Sequence, residues 1–447
     1  MSNQIKMTAG HPGKLLLLFA LPLMFGNIFQ QLYTVVDTAI VGKGVGMEAL
    51  AALGTVDWLN WLFIGIAQGF TQGFSVQMAQ KFGEGDVPGL KRSLGVSLVL
   101  AGWIGLALVA VAQFGLPLFV QLLQIPQQLQ GMAMLYDRIL FAGIPAMLFY
   151  NFCASVLRAV GDSKTPLYAM IAASLTNILL DCLAVFVLDW GIAGAALATV
   201  LAQILSGVIC AVKIWKTQEL RFSKQDLVCD SVNVKRLLCL GTPVAIQNVV
   251  IAAGGMTVQS VVNRFDTCFI AGFTASNKLY GVLEIAALSY GYAVTTYTGQ
   301  NYGAGQWNRI RKGTRWAVII SLITSVIIAV VMILLGRPIT MLFMSAESPQ
   351  LAIEAGEIAY RYLFSMSVGL PVLYLAYAYR AALQGMGKSH IPMFSGMTEL
   401  VIRVSAALII GCAGWRMGLL YIEPFVWLSA AALLCVAYYI SERKLGK

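Results

Sequence analysis

A chain of 447 residues that is 59% hydrophobic and only 11% charged is not composed like a soluble globular protein. In a soluble protein the net charge of +10 would suggest a nucleic-acid partner. Here Lys and Arg alternate by loop, so the charge is read as membrane orientation and no nucleic-acid partner is expected.

Apolar runs predict twelve transmembrane helices, at 15–40, 48–78, 93–114, 131–156, 166–188, 191–214, 236–261, 267–298, 314–335, 352–383, 391–411 and 416–440. Each approaches or exceeds the roughly 20 residues that cross a bilayer. The first run has no small-residue cleavage site after it, so it is expected to stay as a span rather than act as a signal peptide.

Span 1 carries Asp37 in Val36-Asp37-Thr38-Ala39. A carboxylate inside a span is costly to bury and usually marks a cavity, a partner or an ion path. Span 2 carries Gly65, Gly69 and Gly73, spaced for close helix approach and read as packing. Span 5 carries Asn177 and Asp181 one turn apart, on one face. Helical rise places Asp37 roughly 8 Å, Asp181 roughly 10 Å and, in span 6, Thr199 roughly 12 Å from the same outer surface. Four oxygen-bearing side chains from three helices thus share one layer. They fit Na⁺ coordination by Asp37, Asn177 and Asp181, or a proton relay between the two aspartates. The bland alternative is that the aspartates merely stitch helices through nearby hydroxyls.

The polar stretch from Lys213 to Arg236 is expected to link an N-lobe, 1–212, to a C-lobe, 237–447, with the linker at 213–236. Beyond it, span 8 holds Lys278 and Glu284, which line a cavity or reach another helix. Span 11 holds Glu399 and Arg403, spaced i,i+4 and expected to pair with each other. Glu423 in span 12 is expected to be structural.

An internal repeat supports the division. Gln80-Lys81-Phe82-Gly83-Glu84-Gly85 follows span 2, and Gln300-Asn301-Tyr302-Gly303-Ala304-Gly305 follows span 8. Pro145 and Pro371, and Pro166 and Pro392, share one offset of 226 residues. Six spans per unit is even, so both halves enter the membrane the same way. The fold class expected is all-α and polytopic, with two six-helix lobes related by a pseudo-two-fold along the membrane normal. Lys6, Lys14, Lys81, Lys91, Arg92, Arg158, Lys164, the basic run from Lys213 to Arg236, Arg309, Arg311, Lys312, Arg315, Arg380, Lys388, Arg443, Lys444 and Lys447 are all expected on the side of the termini. The opposite side holds only Lys43, Arg138, Arg264, Arg337, Arg361 and Arg416. Both termini are therefore expected in the cytoplasm, with the chain in the plasma (inner) membrane. The eight cysteines form no CxxC pair and are expected to make neither a disulfide frame nor a metal site, and with no HExxH or GxSxG no hydrolase is expected.

These residues resemble the multidrug and toxic compound extrusion (MATE) family. The resemblance rests on Val36-Asp37-Thr38-Ala39-Ile40-Val41-Gly42, the Gln80 and Gln300 loops, Leu157-Arg158-Ala159-Val160-Gly161-Asp162, Asn177 with Asp181, Gly191-Ile192-Ala193-Gly194, and Glu423-Pro424. It implies a central cavity and antiport of organic, often cationic compounds against H⁺ or Na⁺ by a monomeric carrier with no other cofactor. It also implies coupling-ion binding at Asp37, Asn177 and Asp181, with Tyr136 in span 4 and Thr199 in the same set. Members that couple through C-lobe acids use spans 7, 8 and 10. Here span 7 has none and Glu284 is the mid-span candidate, which favours the N-lobe. The alternative is a flippase for a lipid-linked saccharide or cell-wall precursor, which would want unpaired Arg in its cavity. Here Glu399 is expected to neutralise Arg403, the lone mid-span arginine.

Overall fold

The computed structural model describes residues 5–123, 125–341 and 349–444; the outermost ends of both lobe ranges lie outside them. All regular structure among the described residues is helical. The long helices are α1 (Pro12–Gly44), α2 (Met47–Glu84), α3 (Val87–Leu122), α4 (Gln127–Ala142), α5 (Ile144–Ala159), α6 (Lys164–Cys182), α7 (Gly191–Lys216), α8 (Ser231–Val262), α9 (Thr267–Gly303), α10 (Trp307–Met341), α11 (Pro349–Gly385), α12 (His390–Cys412) and α13 (Ile422–Glu442).

They supply the twelve expected spans, with two departures from straight helices. Span 4 is α4 and α5, bent by 46° at Gly143. Pro145 sits in the first turn of α5, where its missing N–H and fixed φ are tolerated but the helix cannot run through unbroken. Span 5 is α6 continued by a π-helical turn, Leu183–Val187, directly after Asp181 and Cys182. Among the described residues ten helices are long and apolar enough to cross a membrane by themselves, and the bent pair makes eleven when counted as one span. The remaining span, α9, is diluted by Lys278, Glu284 and several Ser, Thr and Tyr residues.

Two hydrophobic clusters organise the bundle. One draws on residues from Val41 to Leu237. The other draws on Val258 to Tyr438 and also takes in Met7, Leu16, Phe19, Ala20 and Leu23. The first half of α1 therefore packs with the second half of the chain, and its end packs with the first. The connection between α7 and α8 is docked rather than free. Leu220 is buried, Arg92 of α3 pairs with Asp230 at 3.0 Å, and Asp230 caps α8 by accepting from the Asn233 N–H at 2.8 Å.

At the end of the bundle that carries the termini, the halves interlock reciprocally. Gln80 donates to the Gly385 carbonyl at 3.0 Å, and Gln300 donates to the Ala159 carbonyl at 2.8 Å. The same two amides accept from Arg236 and from the Met7 N–H, each at 3.0 Å. A Cβ on Gly83 would strike the Gln300 carbonyl, and one on Gly303 the Gln80 carbonyl. Gly69 and Gly73 lie against the backbone of Ala245 and Gly241, so the span-2 glycines serve close packing, as expected.

Candidate functional site

Asp37 falls on the buried stripe of α1 with Ile40 and Val41, and Asn177 and Asp181 fall on the buried stripe of α6 with Ala173 and Ser174. Because α1 packs on α6, these stripes meet. The Asp37 and Asp181 carboxyl groups come within hydrogen-bonding contact of each other. Asp181 is fully buried and Asp37 is 8% exposed. Asp37 Oδ1 and both Asp181 oxygens find no donor in the protein. Ionised carboxylates only accept, so the contact becomes a hydrogen bond when a proton sits between them.

Asn177 donates to the Thr199 hydroxyl of α7 at 3.4 Å, while its own Oδ1 stays buried and without a partner. Tyr136 of α4 is buried, and it and Tyr33 of α1 both feel the charge of Asp37. The five residues Asp37, Tyr136, Asn177, Asp181 and Thr199 thus form one cluster, built by α1, α4, α6 and α7. The hydroxyls nearest Asp37 in sequence do not stitch it. Thr34 donates to the Gln30 carbonyl at 3.0 Å and Thr38 to the Thr34 carbonyl at 2.8 Å, so both are spent on their own helix.

The charged residues of the second half are arranged differently. Arg403 makes a two-pronged pair with Glu423 of α13, at 3.1 and 2.7 Å. Glu399 pairs with Arg380 of α11 at 2.7 Å. This corrects the expected pairing of Glu399 with Arg403 on one helix face. Each is claimed by a neighbouring helix that offers a complementary charge, and the Arg403 fork gains two parallel hydrogen bonds. Glu284 accepts from the Tyr377 hydroxyl in a short hydrogen bond, and Arg380 stacks over the Tyr377 ring at 5.2 Å. Glu284, Tyr377, Arg380 and Glu399 therefore form one connected chain. Lys278 is exposed and makes no ion pair among the described residues, and its charge acts on Asp57 of α2.

Asp57, Asn60 and Asp137 escaped the sequence reading. Asp57 and Asn60 are one turn apart on α2, and Asp137 follows Tyr136 on α4. The rule that singled out Asp37, a carboxylate inside an apolar span, applies equally to Asp57. Asp137 adjoins Arg138 and so looks like the polar end of a span, yet it is completely buried while Arg138 is exposed.

A family model described as MatE matches residues 22–183 and, a second time, residues 243–409. The probable multidrug resistance protein YpnP of Bacillus subtilis (strain 168) is 31% identical over 303 residues, 68% of each chain. The probable multidrug resistance protein YoeA of the same organism is 28% identical over 340 residues, 74% of this chain and 73% of that one. Among solved structures, one described as the outward-facing conformation of a multidrug resistance MATE family transporter of the MOP superfamily superposes with a TM-score of 0.92. At 22% identity over 100% of this chain and 99% of the other, that likeness speaks for the fold alone.

Proposed function

The chain belongs to the MatE family, and we propose that it is a secondary active exporter that carries small organic, often cationic compounds out of the cell in exchange for protons. The observation that carries this reading is the contact between Asp37 and Asp181, two buried carboxyl groups that lack donors. Two carboxylates in contact inside an apolar bundle repel each other and lose hydration, and one proton between them removes both costs. Proton occupancy and the local arrangement of α1 and α6 are therefore linked. A protein whose two access states differ in that arrangement exchanges a proton gradient for a substrate gradient, since coupling free energies act in both directions. Asn177, Thr199 and Tyr136 supply neutral polar groups around the pair.

The basic side of the bundle, with both termini, faces the cytoplasm in this reading, and the bilayer is the bacterial plasma membrane. The carrier works as a monomer, bonded chemistry on the substrate plays no part, and no cofactor other than the coupling ion is involved. The flippase alternative needs free cations for a diphosphate. Arg380 and Arg403 are instead occupied by Glu399 and Glu423, which supports the exporter.

The test is dye or drug uptake by purified protein in liposomes, with a pH gradient and a Na⁺ gradient imposed separately. The pH gradient alone is expected to drive exchange, and Asp37→Asn is expected to abolish it while the protein still inserts. Exchange driven only by Na⁺ would reassign the ion to coordination by Asp37, Asn177 and Asp181. Undiminished exchange by Asp37→Asn would sink the mechanism.

A further inference from the structure

A second buried carboxyl group stands apart from the Asp37–Asp181 contact. Asp137 has no exposed surface. Its Oδ1 accepts from the Asn60 amide of α2 at 3.0 Å, and its Oδ2 is buried with no hydrogen-bond partner. An oxygen of that kind, if anionic, has lost its hydration and gained nothing. A purely structural stitch between α2 and α4 would be made at lower cost by an amide or hydroxyl in place of the acid.

The groups that act on Asp137 are few. From its own helix there is Tyr136, which feels the Asp137 charge, while Arg138 is exposed. From α2 there are Asn60 and the carboxylate of Asp57. Further along α4, Phe141 packs on Phe63, and Phe63 on Phe119. Among the described residues no Lys, Arg or His makes an ion pair with Asp137 or Asp57. Asp57 is exposed on α2, one turn from Asn60, and its charge acts on both Asp137 and Asp37. The cation that acts on it, Lys278, belongs to α9 in the other half of the chain.

We propose that Asp137, held by Asn60, is a second proton-binding site, so that each transport cycle carries a proton in addition to the one shared by Asp37 and Asp181. The ligand is a proton because a single free oxygen beside one amide is too sparse a shell for a metal cation. The step is a simple transfer. Uptake from solvent forms one O–H bond at Asp137 Oδ2 and release breaks it, with no redox partner and no leaving group. The proposal rests on the proton-coupled reading for its role in transport, but not for the proton itself.

The test reads the proton directly. Infrared spectra of the purified wild-type protein, taken in H₂O and D₂O, are expected to show a protonated-carboxyl C=O band that Asp137→Asn removes and Asp37→Asn leaves in place. In liposomes, the number of protons exchanged per substrate is expected to fall by one in Asp137→Asn. A spectrum that keeps every protonated-carboxyl band in Asp137→Asn overturns the site, and an unchanged proton count overturns its role in transport. If Asp137→Asn does not fold, Asn60→Leu decides: losing the amide's hydrogen bond should shift the band to higher frequency, and an unshifted band overturns the site. The infrared result needs no exported substrate, so failure of the exporter reading leaves it interpretable.

Discussion

The two halves are built on one plan and charged in opposite ways. In the second half each interior acid has a partner: Glu423 holds Arg403, Glu399 holds Arg380, and Glu284 takes the Tyr377 hydroxyl. In the first half Asp37 and Asp181 meet only each other, and Asp137 has an amide on one oxygen and nothing on the other. Paired charges fix structure, because removing either partner strands the other. Unpaired buried acids do little for stability and are free to exchange an ion. In the proposed reading, the comparison separates a half that holds its shape from a half that loads and unloads.

Variants that break this contrast should differ in kind as well as in size. The largest effect is expected from Asp181→Asn, which leaves no acid to share a proton with Asp37. Proton-driven exchange should fall by about two orders of magnitude, the upper range of coupling free energies. The thermal midpoint should stay put or rise, as seen by melting in detergent. Next comes Glu423→Gln, which strands the buried Arg403 guanidinium. It should cost about 3–5 kcal/mol of stability, read as a clear fall in the midpoint, with coupling retained in whatever protein survives. If Asp181→Asn unfolds the protein and Glu423→Gln does not, the assignment of roles to the two halves is reversed.

A smaller effect is expected from Gly83→Ala or Gly303→Ala at the reciprocal interlock. The added methyl meets the Gln300 or the Gln80 carbonyl, so closure of that face should lose about 1–3 kcal/mol. Distances between spin labels on the two halves at that face should lengthen in both variants, and by similar amounts if the interlock is symmetric. The smallest effect concerns the turns after it. Asp86 caps α3 by accepting from the Gly89 N–H at 2.9 Å, and the repeat-related Gln306 leaves its Oε1 without a partner. That backbone hydrogen bond, with help from Lys81, holds the Asp86 carboxyl below its ordinary range. The cap is therefore complete above the unfolded-state carboxylate range and is lost as pH falls through the lower folded value. Asp86→Ala should cost about 1 kcal/mol, and Gln306→Asp should recover part of that amount in α10.

Much of this was legible without coordinates. The twelve spans, the repeat and the Asp37, Asn177, Asp181, Thr199 layer follow from hydropathy, offset and helical rise, because each is a local property of the chain. Tyr136 came only from the family resemblance, since nothing in its own segment marks a buried phenol beside Asp37. The pairing of Glu399 with Arg403 was misread because i,i+4 spacing says which side chains are neighbours on one helix. It does not say which opposite charge a second helix brings nearer. Asp57 met the same rule as Asp37, whereas Asp137 was hidden for a related reason: depth in the bilayer is readable from sequence, and which face of a helix is covered is not.

Composition, the alternation of basic loops and the two matching halves fixed an all-helical membrane carrier and located its unusual acids along the chain. Tertiary structure alone decided which acids are stranded and which are matched. Helix packing brings α1 onto α6, α2 onto α4 and α12 alongside α13, within reach of Arg380 on α11. Burial then makes an unpaired charge expensive in the first two places, while the third supplies the counter-charges.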